Sequence, residues 1–531
     1  MKNKMVILVA VLLFATTVQI VSADDWPMFH HDLALSGYST SSAPNTNDTL
    51  WTYDTGSAVY SSPAIVNGIL YIGDIDGTLY ANDAYTGENI WTFPTDGPIY
   101  SSPAVENGIV YFLSASGTFY ALDAGTGTES WSVYIGGGPW DWSSPAVHNG
   151  KVFIGASSGY IHCFDATTGV PIWSTYIGGT PDSPISVANG KVFSGTHNFD
   201  NNDPTLVALD ETTGAIIWEY DYYLYHGNVV GMVNSNGATV ADGDDDGDLE
   251  VYFGVYNWVG VGDQAICLNE ATGLEEWTAD IGGHSTSTPA VHDGKVFIGS
   301  DDYNMHALDA TSSGTEIWSF ATGGQVWSAP AVADGKVFFG SWDHTFYAVD
   351  EMNGDLIWSY YTGASRMIGS PAVADGIVYI GNENGNIYAF GIIPVNIDIK
   401  PGSCPNPINT GNKGVLPVAV LGTEDFDAMT IDPATIQLTI TGMEGVAPLR
   451  WNYEDVATPF EPVEDGPCCH DLDGDGFMDL TLKFNTQEVV ETLGLEGYAG
   501  EIIQLTITGN LMEEFDGTPI RGEDCVWILV Q

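Results

Sequence analysis

Basic residues are scarce in this chain. Its 531 residues include 12 lysines and arginines against 69 aspartates and glutamates, and the formal net charge is −57. No Lys or Arg occurs from Asp24 to Gly150. Because contacts to phosphate groups need clustered cations, this charge excludes nucleic-acid binding and disfavours anionic membrane surfaces. An acidic surface keeps a protein soluble at high ionic strength and attracts divalent cations.

Long apolar runs are missing after the first two dozen residues, so no later segment predicts a membrane-spanning helix. Residues 1–23 have the pattern of a secretory signal peptide. Lys2 and Lys4 precede an apolar segment, and Val21-Ser22-Ala23 offers a cleavage site of small residues. An uncleaved membrane anchor is the alternative. We expect a secreted or cell-surface protein without stable membrane insertion after cleavage.

The most prominent pattern is a repeated eleven-residue phrase, A-x-D-x-x-T-G-x-x-x-W. It begins at Ala81, Ala121 and Ala208. Weaker copies end at Trp173, Trp277, Trp318 and Trp358. Self-similarity at a spacing of about forty residues is typical of repeat architectures, in which each repeat is one small structural unit.

Each repeat predicts four short antiparallel strands. In one copy, Asn107-Gly108 separates the first two strands and Thr126-Gly127 separates the last two. Asn-Gly is typical of a tight type I′ hairpin turn, because both central residues need positive φ. Four-stranded units repeated around an axis predict an all-β fold, the β-propeller. We expect each Trp indole to pack between blades, near the Ala and Thr-Gly of its own turn.

The repeats at the two ends of the array are incomplete. Seven units run from an inner strand to a Trp, whereas an eighth begins at Ser370-Pro371-Ala372 and stops at Gly391. Trp51 lies on an outer strand that has no blade of its own. We therefore predict an eight-bladed propeller over residues 51–391, closed by the Trp51 strand, because closure removes exposed sheet edges. Residues 24–50 form a separate N-terminal segment.

The phrase from Ala81 to Trp91 resembles the tryptophan-docking motif of the pyrroloquinoline-quinone (PQQ) repeat propellers. The resemblance covers roughly residues 26–391. That superfamily includes the quinoprotein alcohol dehydrogenases and also non-enzymatic eight-bladed scaffolds of the bacterial envelope. The resemblance implies the fold and leaves the activity open, because one fold carries many functions.

The resemblance to the dehydrogenases implies PQQ and a metal ion in the channel, an aspartate base and a disulfide between adjacent cysteines. The propeller contains only Cys163 and Cys267, in different blades, and Arg366 alone has an ambiguous position. Four lysines directly follow tight turns and are interpreted as blade-surface residues: Lys151, Lys191, Lys295 and Lys336. We therefore predict no catalytic residues and disfavour PQQ as a cofactor.

The fifth repeat replaces its Asn-Gly turn with an acidic loop of the pattern D-x-D-x-D-G-x-x-E. Such spacing places carboxylates and a backbone carbonyl around Ca²⁺, and the Gly permits the sharp turn. The predicted ligands are Asp242, Asp244, Asp246, Asp248 and Glu250. The twelfth position is Phe253 rather than Glu, and strands flank the loop. We predict a calcium-binding β-hairpin rather than an EF-hand; a solvated acidic turn is the alternative.

Residues 392–531 lack the repeat. Their short apolar stretches alternate with period two, which predicts a C-terminal β-sandwich. This domain resembles a C-terminal module of secreted bacterial and archaeal proteins. It contains a second acidic loop, with predicted calcium ligands Asp471, Asp473, Asp475, Phe477 and Asp479. We expect both calcium sites to be structural, because each takes its ligands from one contiguous loop.

The C-terminal domain also contains four cysteines, which can form two disulfides in an exported protein. Four cysteines allow three connectivities. A bond between Cys468 and Cys469 is disfavoured because adjacent residues strain disulfide geometry. Cys404 and Cys525 would then each bond one member of that pair.

Two connections between blades are rich in aromatic residues, and both should lie on the face opposite the calcium hairpin. The predicted ligand surface comprises Trp140, Trp142, Tyr222, Tyr223, Tyr225 and His226. Such side chains can stack on sugar rings or on a partner protein, and loops that plug the channel are the alternative.

Together these features predict a secreted or cell-surface, calcium-binding propeller that binds an extracellular protein or glycan. The alternatives are a PQQ-dependent quinoprotein oxidoreductase and an envelope protein-assembly scaffold. The sequence does not determine the oligomeric state.

Overall fold

The computed structural model describes most of the chain, with gaps between the ranges. The described residues are 25–138, 142–197, 205–226, 231–232, 237–257, 264–311, 313–363, 365–401, 406–423, 426–440, 445–456, 476–512 and 519–529. The predicted signal peptide, residues 1–23, lies outside them. No described helix is long and apolar enough to cross a membrane.

Eight four-stranded antiparallel sheets, the blades, form the larger part of the described structure. Within each blade the strands pair in order from the inner to the outer strand. Blades 1 to 4 comprise Ala64–Val66, Ile69–Gly73, Thr78–Asp83 and Asn89–Pro94; Ala104–Glu106, Ile109–Leu113, Thr118–Asp123 and Glu129–Tyr134; Ala146–His148, Lys151–Ala156, Tyr160–Asp165 and Pro171–Tyr176; and Ser186–Ala188, Lys191–Gly195, Leu206–Asp210 and Ile216–Tyr220.

Blades 5 to 8 follow the same order. They comprise Thr239–Ala241, Glu250–Gly254, Gln264–Asn269 and Glu275–Asp280; Ala290–His292, Lys295–Gly299, Asn304–Asp309 and Glu316–Ala321; Ala331–Ala333, Lys336–Gly340, Thr345–Asp350 and Leu356–Tyr361; and Ala372–Ala374, Ile377–Gly381, Asn386–Phe390 and Thr49–Asp54. A short ribbon pairs Gly231–Met232 with Tyr256–Asn257 beside blade 5.

The blades form a ring, and the fold is a β-propeller. Inner strands of consecutive blades contact one another, and the inner strand of blade 8 contacts that of blade 1. The strand Thr49–Asp54 pairs antiparallel with Asn386–Phe390, with Trp51 opposite Ala389. The N-terminal part of the chain therefore supplies the outer strand of the last blade. This pairing covers a sheet edge that would otherwise be exposed.

Each repeat tryptophan packs between blades, as expected, and Trp91 lies opposite Ala81 of its own blade; the turn it docks on, however, is that of the following blade and not its own. Trp91 of blade 1 donates from Nε1 to the carbonyl oxygen of Ala124 in blade 2, at 2.9 Å. A Cβ on Gly127, which has φ of 67°, would lie 2.6 Å from the same indole. The motif Gly therefore provides both a left-handed turn and space for the neighbouring Trp.

Residues 26–37, here named the channel segment, line the inner strands of the ring. Their backbone carbonyls accept hydrogen bonds from inner-strand amides. The pairs are Ile65 with Trp26, Val105 with Pro27, Val187 with Leu33, Val240 with Ala34, Val291 with Ser36 and Val332 with Gly37, at 2.6–3.0 Å. The strand Tyr38–Ser39 continues this contact by pairing parallel with Ala331–Ala333. The segment thus satisfies amides at the innermost sheet edges.

The lysines that follow the tight turns are more buried than residues on a blade surface. Lys295 and Lys336 are buried, and Lys191 reaches Glu270 of the next blade at 2.6 Å. Lys151 contacts Glu211 in the same way, at 3.2 Å. These lysines therefore join neighbouring blades or cap their own turns, which corrects the interpretation made from the sequence.

The C-terminal region contains two sheets. One comprises Ile393–Pro394, Pro519–Leu529, Ile502–Leu511 and Ile431–Thr439, with Asn406–Asn409 also paired to Pro519–Leu529; the other comprises Ile397–Ile399, Val415–Val420, Asp479–Asn485 and Arg450–Glu454. Apolar side chains of both sheets, such as Leu482 and Leu505, belong to one buried cluster. The described helical segments are Tyr222–Tyr225 and Thr486–Thr492, with 3-10 turns at Ala428–Thr430 and Leu495–Tyr498.

Candidate functional site

The acidic loop of blade 5 forms the hairpin between Thr239–Ala241 and Glu250–Gly254. Its own backbone amides bond to its carboxylates. Asp242 accepts from the N–H of Asp246 at 3.1 Å and from the N–H of Gly247 at 3.0 Å. Gly247 has φ of 93°, which an L-residue rarely adopts. These bonds hold the loop in a curved shape.

Three of the five predicted ligands of this loop come together. Ligand oxygens of Asp242, Asp244 and Glu250 lie within 4.8 Å of one another. Glu250 is only 3% exposed, and its Oε2 accepts from the N–H of Gly243 and from the hydroxyl of Tyr252, both at 3.0 Å. Burial raises the pKa of Glu250 to about 7, and the Asp244 carboxylate adds to the rise. The donor set is oxygen-only, which fits Ca²⁺.

Asp246 and Asp248 lie in the same loop but not in that group of three. The Asp246 carboxylate accepts from the N–H of Asp248 at 2.9 Å. Asp246 therefore shapes the loop, whichever ligands an ion would use.

The second predicted calcium loop lies mostly outside the described residues, which exclude Asp471, Asp473 and Asp475. Phe477 is described and exposed. Asp479 is fully buried, and its two oxygens accept from the N–H groups of Gly422 at 2.9 Å and Val456 at 2.8 Å. Asp479 thus joins two segments of the C-terminal region, and calcium binding at this loop stays a prediction.

A cup opens at the centre of the ring. Its wall contains Ser62, Ser102, Ser144 and Ser370, one from each of four consecutive blades. Each serine hydroxyl accepts a backbone N–H from the preceding blade. The pairs are Ser62 with Ser370, Ser102 with Ser62, Ser144 with Ser102 and Ser370 with Ala329, at 2.9–3.0 Å. A hydroxyl that accepts in this way keeps its own proton for donation.

The rim of the cup comes from the repeat position two residues before the wall position, which is Ser62, Ser102, Ser144, Ala329 or Ser370; before Ser370 this residue is Ile368. Tyr60, Tyr100, Trp142 and Trp327 occupy it, and all four are partly exposed. Phe29 of the channel segment also lines the cup and is buried. Because the channel segment bonds to the inner strands beyond the serines, it forms the floor of the cup.

The predicted ligand surface divides into separate parts. Trp142 is on the rim, and Trp140 lies outside the described residues. Tyr222 is 1% exposed and belongs to the core, which does not suit a stacking surface. Tyr225 is 50% exposed, and His226 Nε2 lies 2.8 Å from Glu275 on the outer strand of blade 5. The backbone of Tyr223 belongs to the same helical turn as Tyr222 and Tyr225.

Sequence reasoning missed Tyr60, Tyr100 and Trp327. A signal was present, since each stands two residues before a Ser or Ala that precedes Pro in its repeat. Only the closed ring shows that this repeat position faces one shared cup.

The cysteines lie in two environments. Cys163 and Cys267 are buried and free, on the third strands of blades 3 and 5, and burial raises the pKa of the Cys163 thiol to about 12. Cys525 lies on the strand Pro519–Leu529. Cys404, Cys468 and Cys469 lie outside the described residues, so the disulfide connectivity stays a prediction.

Several solved structures are similar to this chain. They include the quinohemoprotein alcohol dehydrogenase of Comamonas testosteroni (18% identity, 69% of this chain and 80% of that chain, TM-score 0.57). A europium-containing methanol dehydrogenase has 17% identity over 70% of this chain and 98% of its own, with a TM-score of 0.58. BamB from Moraxella catarrhalis has 17% identity over 65% of this chain and 99% of its own, with a TM-score of 0.52. At such identities the similarity shows the fold alone.

No curated protein sequence matches this chain. The family model described as outer membrane protein assembly factor BamB matches residues 40–140, 135–253 and 262–394. These matches span well over half of the sequence, and they coincide with the blades. The chain therefore belongs to this BamB-like family of PQQ-repeat β-propellers.

Proposed function

We propose that this protein is a secreted or cell-surface binding module, in which a calcium-stabilised propeller binds a ligand in its central cup. The observation that carries the proposal is the cup itself, with its aromatic rim, its hydroxyl wall and its floor closed by the channel segment. Its lining combines aromatic side chains with a few polar groups, as small-molecule sites do. The ligand is an extracellular protein or glycan.

Calcium has a structural role in this proposal. Asp242, Asp244 and Glu250 would hold the ion in blade 5, and the carboxylates of the second acidic loop would hold another. When bound, Ca²⁺ neutralises adjacent carboxylates that otherwise repel one another. The blade 5 loop lies at the turn after an inner strand. Since strand directions alternate, this is the face opposite the cup rim.

The competing function is a PQQ-dependent oxidoreductase, and the residues around the cup do not fit that cofactor. PQQ carries carboxylates, whereas the rim is bounded by acidic side chains. Glu383 accepts from the Tyr60 hydroxyl at 3.1 Å, and Asp301 accepts from Trp327 Nε1 at 2.6 Å. Arg366 is 3.5 Å from Glu383, so its charge is already compensated. We derive no catalytic step through PQQ.

A second candidate is a scaffold for protein assembly at the cell envelope. The family description, outer membrane protein assembly factor BamB, favours it. Such a scaffold would also bind protein partners, and it differs from the first proposal in location and in the role of the cup.

Reconstitution of the purified full chain with PQQ and Ca²⁺ tests the binding-module proposal against the PQQ-dependent oxidoreductase. We expect no retained chromophore after gel filtration and no dye-linked oxidation of alcohols. Stoichiometric PQQ with turnover would overturn the binding-module proposal.

Peptide mapping without reduction, in the same preparation, tests whether Cys404 and Cys525 each bond one of the Cys468–Cys469 pair.

A further inference from the structure

We propose that the cup binds the end of a neutral saccharide chain, with a pyranose ring stacked on its aromatic rim. This inference rests on the binding-module function and names its ligand class. Four observations carry it: the aromatic contacts of the rim, the polar groups placed between them, two unsatisfied polar atoms and the closed floor.

The rim contains a continuous aromatic surface over three blades. The ring centroids of Tyr100 and Trp142 are 4.6 Å apart, and those of Tyr60 and Tyr100 are 6.0 Å apart. On blade 7, Trp327 contacts Trp342 with centroids 4.2 Å apart. The faces of these rings that do not contact one another can bind the apolar C–H face of a sugar ring while its hydroxyls stay available for hydrogen bonds.

Charged groups connect the two aromatic parts. The Arg366 guanidinium carbon lies 4.3 Å above the Trp342 ring, and Arg366 Nε lies 3.5 Å from Glu383. Glu383 accepts from Tyr60, and Asp301 accepts from Trp327. A carboxylate accepts several hydrogen bonds and a guanidinium donates several. A sugar hydroxyl can therefore donate to Glu383 or Asp301 and accept from Arg366.

Two polar atoms beside the cup have no hydrogen-bond partner among the described residues. Thr286 Oγ1 is buried at the cup wall, and Trp342 Nε1 is buried next to Trp327. Buried polar atoms without a partner carry a desolvation cost, and a polar ligand or an ordered water removes it. Thr286 thus favours a hydroxylated ligand over an apolar peptide side chain.

The net charge of the chain and the closed floor of the cup restrict the class of saccharide further. The chain carries a net charge of −57, and this field repels uronic acids and other anionic glycans. The channel segment, with Phe29 at the cup, closes the floor, so a chain cannot thread through the ring. A terminal sugar of a neutral chain satisfies both conditions.

The test is a titration of the full chain, in calcium, with maltotetraose, cellotetraose, mannotetraose and chitotetraose, followed by tryptophan fluorescence and ligand-observed NMR. We expect at least one of them to bind with a Kd on the order of 1 mM or lower. Tetragalacturonate and a short neutral peptide rich in Leu and Phe serve as comparison ligands. We expect both to bind at least about tenfold more weakly.

Variants locate the site. Trp142→Ala should weaken binding at least about tenfold. Thr286→Val, which keeps the side-chain shape, should weaken it several-fold without lowering the Tm. Tyr134→Ala is the matched control, because Tyr134 is an exposed aromatic residue on an outer strand of the propeller. Tyr134→Ala should bind the saccharide with the same affinity as the wild type.

The saccharide inference is overturned if no tetrasaccharide binds with a Kd below about 10 mM, if Trp142→Ala and Thr286→Val bind like the wild type, or if the peptide or tetragalacturonate binds more tightly. A chain that retains no PQQ, is stabilised by calcium and yet binds no saccharide would leave the binding-module function standing. Retained PQQ with turnover would overturn that function directly, so the two failures are distinguishable.

Discussion

Trp358 of blade 7 donates a hydrogen bond from its indole Nε1 to the carbonyl oxygen of Pro44, at 3.0 Å. In other blades the corresponding indole bonds to a residue in the next repeat, as Trp318 bonds to Glu351 at 3.0 Å. Blade 8 has no turn of its own at this place, because its outer strand comes from the N-terminal part of the chain. Pro44 therefore occupies the position of the missing turn, and the ring is closed by both strand pairing and indole docking.

Removal of this docking should destabilise the propeller. Trp358 is 7% exposed, and Trp358→Ala should cost about 3–5 kcal/mol of unfolding free energy, as for other buried aromatic residues. Trp358→Phe keeps part of the packing and loses the hydrogen bond, so it should cost less. Urea unfolding gives both values. Trp451→Ala, at an exposed site outside the propeller, should have little effect; equal losses in all three variants would contradict the docking role.

Calcium should raise the Tm of the full chain, and EDTA should lower it. At a free concentration one hundred times the Kd, one site contributes about 2.7 kcal/mol. Asp244→Asn should weaken this response, because Asp244 belongs to the group of three carboxylates in blade 5. Asp76→Asn, an exposed aspartate in a turn of blade 1, is the control. An unchanged Tm with EDTA would count against both loops.

The ion pair between Lys191 and Glu270 should be sensitive to loss of one partner. Their charged atoms are 2.6 Å apart, and Glu270 is buried. Lys191→Met leaves a buried charge without its partner and should cost about 3 kcal/mol or more. The double variant Lys191→Met with Glu270→Gln should recover part of this loss. A double-mutant cycle by urea unfolding measures the coupling, and additive effects would show that the pair is not coupled.

Asp524 should make the stability of the C-terminal region depend on pH. Burial raises its pKa to about 7 from the ordinary value of 3.8, and the Asp398 carboxylate adds to the rise. The folded state therefore favours the protonated acid. This contribution is fully present below pH 3.8 and is lost as pH rises through about 7.

Calorimetry of the full chain between pH 4 and pH 8, in EDTA, tests this dependence. In the wild type, the Tm of the C-terminal region should fall as pH rises. Asp524→Asn should make this fall smaller, whereas Glu501→Gln, at an exposed site, should leave it unchanged. A slope that is the same in Asp524→Asn as in the wild type would assign the dependence to other groups.

The blade 5 loop shows which part of a site can be predicted from sequence. Its candidate ligands lie in one contiguous loop, so spacing alone brings Asp242, Asp244 and Glu250 within reach of one ion. The cup differs, because its lining comes from several repeats. Tyr60 and Trp327 are 267 positions apart in the sequence. No local pattern brings them together, and only the ring does.

The sequence by itself determined the β-propeller and the PQQ-like repeat family, because turn chemistry, strand period and the Trp phrase are local signals that recur in each unit. Tertiary structure decided which unit each Trp docks on, that Lys191 is an interblade residue, and that residues 26–37 close the channel. These features depend on which blade follows which around the axis. Repetition encodes the unit many times, whereas the contacts between units form only when the ring is closed.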